Sequence, residues 1–232
     1  MIVAFDTSTE WCSVALYDPT GGVRAEETWH AGREQTRELL PTVHAMLARM
    51  HQAPADLRGV AVALGPGSFT GLRVGLATAK GLAYALDIPL WGIPTLDIMG
   101  YAHMAITAAP VCAVLHAGRG RLAHAFYRTR AGVWQRISEY ANTTVAELIA
   151  QIDTPTIFCG EIDPAVTREL ETQLGRLASV APPAASLRRA GYLAELAWQR
   201  AQQGERDDVA LLQALYLHVP TSGSQPVASA PA

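Results

Sequence analysis

Cysteine is scarce and unpaired in this 232-residue chain: Cys12, Cys112 and Cys159 lie far apart, and no two stand at CxxC spacing. That pattern excludes a disulfide framework and a zinc knuckle, and predicts buried free thiols in a reducing compartment. Charge is thin as well. Asp, Glu, Lys and Arg supply 17% of the residues, and 18 basic against 21 acidic side chains leave a net charge of −3. A chain with no basic surplus is a poor autonomous nucleic-acid binder, although it can serve as a subunit of an RNA-processing assembly. No apolar run approaches the roughly 18 residues a membrane span needs. Asp6 interrupts the opening MIVAFDTST before it can read as a signal peptide. A soluble, cytoplasmic protein is expected. No two of the seven histidines are four residues apart, the spacing that puts two metal ligands on one helix face. His44 and His51 are accordingly read as exposed helix residues, and no local pattern suggests a Ser-His-Asp or Cys-His nucleophile.

What is present is apolar: 50% of the residues are hydrophobic, enough to bury one large core or two small ones. Residues 2–29 read as a three-strand meander, with polar turns at Asp6-Thr7-Ser8-Thr9 and Asp18-Pro19-Thr20-Gly21-Gly22. A helix over 33–51, a strand over 57–64, a helix to Leu86, a strand over 89–93 and a helix over 95–104 follow. Arg33, Glu34, Gln35 and Arg37 read as a solvated helix start. The second half repeats the scheme. Strands are expected over 110–115, 122–127, 133–140 and 156–159, with helices over 143–152, 161–174 and 186–203. Laid over the first half without gaps, Asp6 falls on His116, Ala15 on Ala125 and Tyr17 on Tyr127. These matches point to an internal duplication of a mixed-sheet α/β unit.

The most informative stretch is 63–86, ALGPGSFTGLRVGLATAKGLAYAL. Pro66 excludes helix at Gly65, Gly65 and Gly67 allow the positive φ of a sharp strand-to-helix turn, and Ser68 or Thr70 can cap the helix. The helix shows three stripes. One holds Arg73, Ala77, Lys80 and Tyr84, the second Leu72, Leu76, Ala79, Ala83 and Leu86, the third Gly71, Gly75, Thr78, Leu82 and Ala85. Gly71 and Gly75 each cost about 1 kcal/mol relative to Ala in a helix interior, so a close backbone approach is expected, either from the chain's own sheet or from a partner's helix. The loop is neither GxGxxG nor a Walker loop, since Thr70 takes the third glycine's place and no Lys-Ser/Thr follows. A helix N-terminus can still attract an anion there.

Two facing copies of such a unit, each opening with a hairpin, resemble the duplicated actin-like, hexokinase-like (ASKHA, ribonuclease H-like) superfold, in which the hairpin turns face a nucleotide between two lobes. DTSTEWCSVALYD at 6–18, REQTRELLP at 33–41 and GPGSFTGLRVGLATAKGLAYALDIPL at 65–90 closely resemble the TsaB (YeaZ) family. The resemblance is dense over about the first hundred residues and thin beyond. It implies a non-catalytic subunit of the assembly that transfers a threonylcarbamoyl group to the adenosine beside the anticodon of tRNA. Such a subunit binds and activates the catalytic TsaD, works with the TsaE ATPase, forms a homodimer in isolation and reaches tRNA only indirectly. The helix after GPGSFTG would carry the partner contacts, with Phe69, Thr70, Leu72, Arg73, Gly75, Leu76, Ala79, Lys80 and Ala83 as the candidates. No metal site, catalytic residue or resident cofactor is implied, beyond weak ATP or ADP at a subunit junction. Asp6, Thr7, Ser8, Gly67, Ser68, Arg119 and Arg121 are the candidate nucleotide-facing residues, with His116 standing where the family usually has an acid.

The expected organisation is an N-terminal lobe at 1–103, a smaller degenerate lobe at 104–185, a C-terminal helix and strand at 186–219 packing back on the first lobe, and a low-complexity disordered tail at 220–232. The alternative is a stand-alone ATP-dependent kinase or acyltransferase using Asp6 and the interlobe cleft.

Overall fold

The computed structural model describes residues 1–103 and 108–217. The tail at 220–232, the end of the C-terminal strand expected up to 219 and the start of the second lobe at 104 therefore lie outside the described residues.

The meander is built as β1 (Ile2–Asp6), β2 (Trp11–Asp18) and β3 (Gly22–His30), followed by α1 (Gln35–Arg49), β4 (Gly59–Ala63), α2 (Phe69–Leu86), β5 (Leu90–Ile93) and α3 (Thr95–Tyr101). The second half runs β6 (Val111–His116), β7 (Arg121–Arg130), β8 (Val133–Arg136), β9 (Ala141–Thr144), α4 (Val145–Ile149), β10 (Thr156–Gly160), α5 (Pro164–Leu174), β11 (Ala178–Val180) and α6 (Ala190–Gln202). The first sheet has the order β3-β2-β1-β4-β5 and the second β8-β7-β6-β10-β11, with β9 also pairing β7. In each, the first two pairings from the hairpin side are antiparallel and the last two parallel. The same order and the same directions in both halves are what a duplicated α/β unit produces.

The hairpin registers refine the gapless overlay. Tyr17 pairs with Ile2 and Ala15 with Ala4, and Tyr127 pairs with Val111 and Ala125 with Ala113. The two closing tyrosines and the two alanines are therefore equivalent. Carried along the ladder, however, Asp6 opposite Ser13 corresponds to Leu115 opposite Ala123, not to His116. Between these equivalent pairs the second hairpin has seven residues where the first has six, and the extra residue carries His116 past the acid's position.

Each sheet buries both faces at its centre, so β1, β4 and β6 read as nearly continuous apolar runs, while the edge strands β3 and β8 stay partly exposed. On the outer face of the first sheet, Val3, Phe5, Val14 and Leu16 meet Leu39, Met46 and Leu47 of α1 and Ala79 and Ala83 of α2. Its inner face, with Ala4, Ala15, Ala61 and Ile93, packs on Ile98 of α3 and on Leu193, Ala194 and Ala197 of α6. Leu96 and Met99 of α3 pack on the second sheet, whose outer face is covered by Leu148 of α4 and by Val166 and Leu170 of α5. The helices α3 and α6 form the middle layer, each serving the sheet of the other half.

Several boundaries differ from expectation for local reasons. The strand expected over 133–140 ends at Arg136, where β8 has paired Tyr127–Arg130, and β9, outside that range, crosses to pair Arg121–His124 on the same long β7. Asp163 caps α5 through the amides of Ala165 and Val166, and Pro164 sits at its first position, so this helix starts at Pro164 and not at 161. A capping box between Thr144 and Glu147 starts α4 at Val145. The strand expected near Leu215–Leu217 is absent among the described residues. The segment instead bonds through the Leu215 amide to the Leu64 carbonyl, while further back Asp207 bridges to Leu90.

Candidate functional site

The turn ahead of α2 is built by close approach. Gly65 has φ +105°, as expected of a left-handed turn position. Gly67 lacks a positive φ; its small size matters instead, because a Cβ there would collide with the Ser8 carbonyl oxygen. The Ser68 hydroxyl caps the Gly71 amide, and the Ser68 amide donates to the Ser8 carbonyl at 2.6 Å. Next along the helix, the Thr7 hydroxyl donates to the Gly71 carbonyl at 2.7 Å. A Cβ on Gly71 would overlap the Thr7 carbonyl oxygen, and one on Gly75 the Thr7 hydroxyl. The backbone approach that the glycines permit is therefore made by this chain's own β1–β2 turn.

This placement corrects half of the expected partner face. Leu72, Gly75, Ala79 and Ala83 are buried against the chain's own core, because their stripes point at β4 and α1. Phe69, Thr70 and Arg73 are exposed, and Leu76 and Lys80 are half-buried. Ala77 and Tyr84 complete the outward stripe, and Tyr84, at 86% exposure, is the most open large side chain on the helix. Both lie on the Arg73 stripe, whose periodicity alone does not say which way it faces. Phe69 lies under the Arg73 guanidinium at 3.9 Å and beside Tyr216 at 5.6 Å, and Lys80 donates to the Ala210 carbonyl. The C-terminal segment thus runs along one edge of the exposed helix face.

The expected nucleotide-facing residues do not converge. Asp6, Thr7 and Ser8 are buried. Asp6 accepts the Ser8 amide at 2.7 Å through one oxygen and the Arg188 Nε at 3.0 Å through the other. Arg188 also donates to Glu161 at 3.0 Å and to the Thr9 hydroxyl; these neighbouring carboxylates hold its guanidinium above the ordinary arginine range against the cost of burial. Gly67 and Ser68 sit at the exposed start of α2, Arg119 lies at the tip of the β6–β7 turn, and Arg121 is tied to Asn142 and Glu147. Gln35, expected to be solvated, is buried and donates to the Thr9 and Gly32 carbonyls.

A cleft of about 880 Å³ opens beside this network, lined among others by Trp11, His116, Glu161, Asp163, Leu187 and Arg188. Asp6 does not reach it, because Arg188 stands between. The residues present do not fit a magnesium–nucleotide: the acid that would face the metal is already neutralised by a buried guanidinium. Among the described residues, no three His, Cys, Asp or Glu side chains group to hold a metal ion. All three cysteines are buried, and burial pushes the Cys12 and Cys159 thiols up to about 12, which removes thiolate character at neutral pH. No helix among the described residues is long and apolar enough to cross a membrane.

Duplicated sheets with shared middle helices define the actin-like, hexokinase-like class of α/β proteins. In sequence, residues 10–221 match the family model described as TsaD, tRNA N6-adenosine threonylcarbamoyltransferase. The tRNA threonylcarbamoyladenosine biosynthesis protein TsaB of Bacillus subtilis is 30% identical over 177 residues, covering 75% of this chain and 76% of that protein. The protein of the same name from Escherichia coli is 38% identical over 135 residues, 57% of this chain and 58% of that protein. The solved structure of YeaZ from Pseudomonas aeruginosa superposes with a TM-score of 0.77 at 25% identity, covering 93% of this chain and 99% of that one. The chain belongs to the TsaB (YeaZ) family.

Proposed function

We propose that this chain is a non-catalytic subunit in tRNA threonylcarbamoyladenosine biosynthesis, and that it binds and activates TsaD through the outward face of α2. The carrying observation is that face itself. Phe69, Arg73, Ala77, Lys80 and Tyr84 form a stripe of aromatic, small and basic side chains with no carboxylate. Small residues let a second helix approach closely, while the aromatic rings at either end supply the large buried area that anchors interfaces. The same face serves a homodimer in isolation and TsaD in the complex, with TsaE joining as the ATPase and tRNA contacted indirectly. The subunit carries no resident cofactor and acts in the cytoplasm. A stand-alone kinase or acyltransferase is the weaker reading, because Asp6 is committed to Arg188.

The test is a reconstituted assay of threonylcarbamoyl transfer to tRNA. Modification is expected only when TsaD and this chain are both present, with Tyr84→Glu reducing it at least tenfold and Asp163→Asn leaving it intact. Transfer by this chain without TsaD would overturn the reading.

A further inference from the structure

We propose that Arg188 is an interlobe latch: its guanidinium takes the place of a bound cation between the two halves and positions the first turn of α2 for docking. The side chain leaves the segment ahead of α6 and reaches both halves at once. Asp6 ends β1 and Thr9 lies in the β1–β2 turn, and Glu161 follows β10 of the second sheet. Arg188 and Asp6 are almost fully buried, with side-chain exposures of 5% and 2%. From the turn the linkage continues into α2 by contacts already described, the Ser68 amide to the Ser8 carbonyl, the Thr7 hydroxyl to the Gly71 carbonyl, and the close packing of Thr7 on Gly71 and Gly75. Gln35 ties the same turn to α1. A buried ion pair is weak support for stability but a strong geometric constraint, since its charges tolerate few arrangements. The planar fork of arginine suits the task, because separate nitrogens engage Asp6, Glu161 and Thr9 at fixed angles.

In a nucleotide-dependent relative of this fold, the two halves would be held by a ligand that comes and goes. Here the cation is covalently part of the chain, so the contact between the hairpin turn and β10 needs no bound ligand. Arg188 is thus a positioning residue for the docking helix, some distance from its outward face. The effect on docking rests on the reading of α2 given above, but the latch can be tested without a partner.

The experiment is amide hydrogen exchange of the full chain, wild type against Arg188→Gln and Glu161→Gln. Faster exchange is expected at residues 7–9 and 68–71, by about tenfold or more in Arg188→Gln, with α5 unchanged. Millimolar guanidinium should restore protection in Arg188→Ala, whereas magnesium with ATP should not. If Arg188 variants do not fold, Glu161→Gln decides alone. It keeps the Asp6 pair and a partly exposed side chain, and should still loosen 160–162 and the 7–9 turn. TsaD affinity should fall together with protection at 68–71. Unchanged exchange at 7–9 and 68–71 in a folded variant would overturn the latch, as would slowing of exchange there in the wild type on adding magnesium and ATP. Wild-type failure to bind TsaD would instead refute the docking reading while leaving the exchange result standing.

Discussion

Replacing Gly71, Gly75 and Gly81 by alanine, one at a time, should give three different answers on a single helix. In a helix interior alanine is better than glycine by about 1 kcal/mol, whatever surrounds it. Gly81 is exposed and a Cβ there meets nothing within 4 Å. Gly81→Ala should therefore stabilise by about 1 kcal/mol, raising Tm by roughly 2–4 °C for a chain of this size. At Gly75 the added carbon runs into the Thr7 hydroxyl, which is buried and bonded to the Gly71 carbonyl. Overpacking of about 1–3 kcal/mol and a weakened hydrogen bond of about 1 kcal/mol outweigh the propensity gain, leaving a net loss of about 1–3 kcal/mol. At Gly71 the obstacle is backbone, the Thr7 carbonyl oxygen, so the turn or the helix must shift bodily and the loss should reach about 3 kcal/mol. Urea unfolding followed by circular dichroism would rank the three. Gly71→Ala as stable as the wild type would refute the claim that these glycines exist for the β1–β2 turn. Gly75→Arg, which looks from the sequence like an interface mutation, should unfold the domain before it can report on a partner.

His124 is buried with its Nε2 against the Thr143 hydroxyl, and desolvation lowers its pKa from 6.5 to about 4. The unfolded chain takes up this proton first, so stability should fall as pH drops from about 6.5 towards 4. The loss is about 2 kcal/mol at pH 5; parallel urea titrations in which wild type and His124→Gln lose stability equally between pH 7 and 5 would contradict it. Asp97 accepts hydrogen bonds from the Tyr127 and Tyr140 hydroxyls at 2.8 and 2.9 Å, and burial raises its carboxyl pKa despite them. Tyr140→Phe should cost about 1–3 kcal/mol at neutral pH by thermal unfolding, and no loss would show that this bond is not maintained. Arg200 forks onto Asp207 at 2.9 and 3.0 Å and fixes the start of the C-terminal segment on β5. Arg200→Ala should increase proteolysis beyond residue 205 while leaving α6 protected; an unchanged cleavage pattern would refute that role.

Much of this architecture was legible in the chain because it is local. Alternation marks β2, turn residues end β1 and β2, and Gly65-Pro66 fixes the passage from β4 to α2. The duplicated order followed from two hairpins of nearly equal length, although only the ladder register shows that Leu115, not His116, corresponds to Asp6. What the sequence withheld is contact across the chain. Periodicity divides α2 into stripes but does not say which the chain itself covers. The Gly71–Gly75 stripe and the Leu72–Ala79–Ala83 stripe both turned inward, and the outward one was the least apolar. Arg188 gave no sign at all: its partner Asp6 is 182 positions away, and one of two adjacent arginines at the start of an expected helix reads as a solvated residue. The cleft was expected to be served by Asp6, Thr7 and Ser8, but a short turn packed under a helix start buries them instead.

The central claim is that the outward face of α2 is the docking surface. Light scattering on the purified chain, alone and mixed with TsaD from the same organism, tests it most directly. The account predicts a homodimer that gives way to a heterodimer, with both lost in Tyr84→Glu and in Ala77→Arg while the variants keep the wild-type Tm to within a few degrees. A complex that forms undiminished with both variants would contradict it.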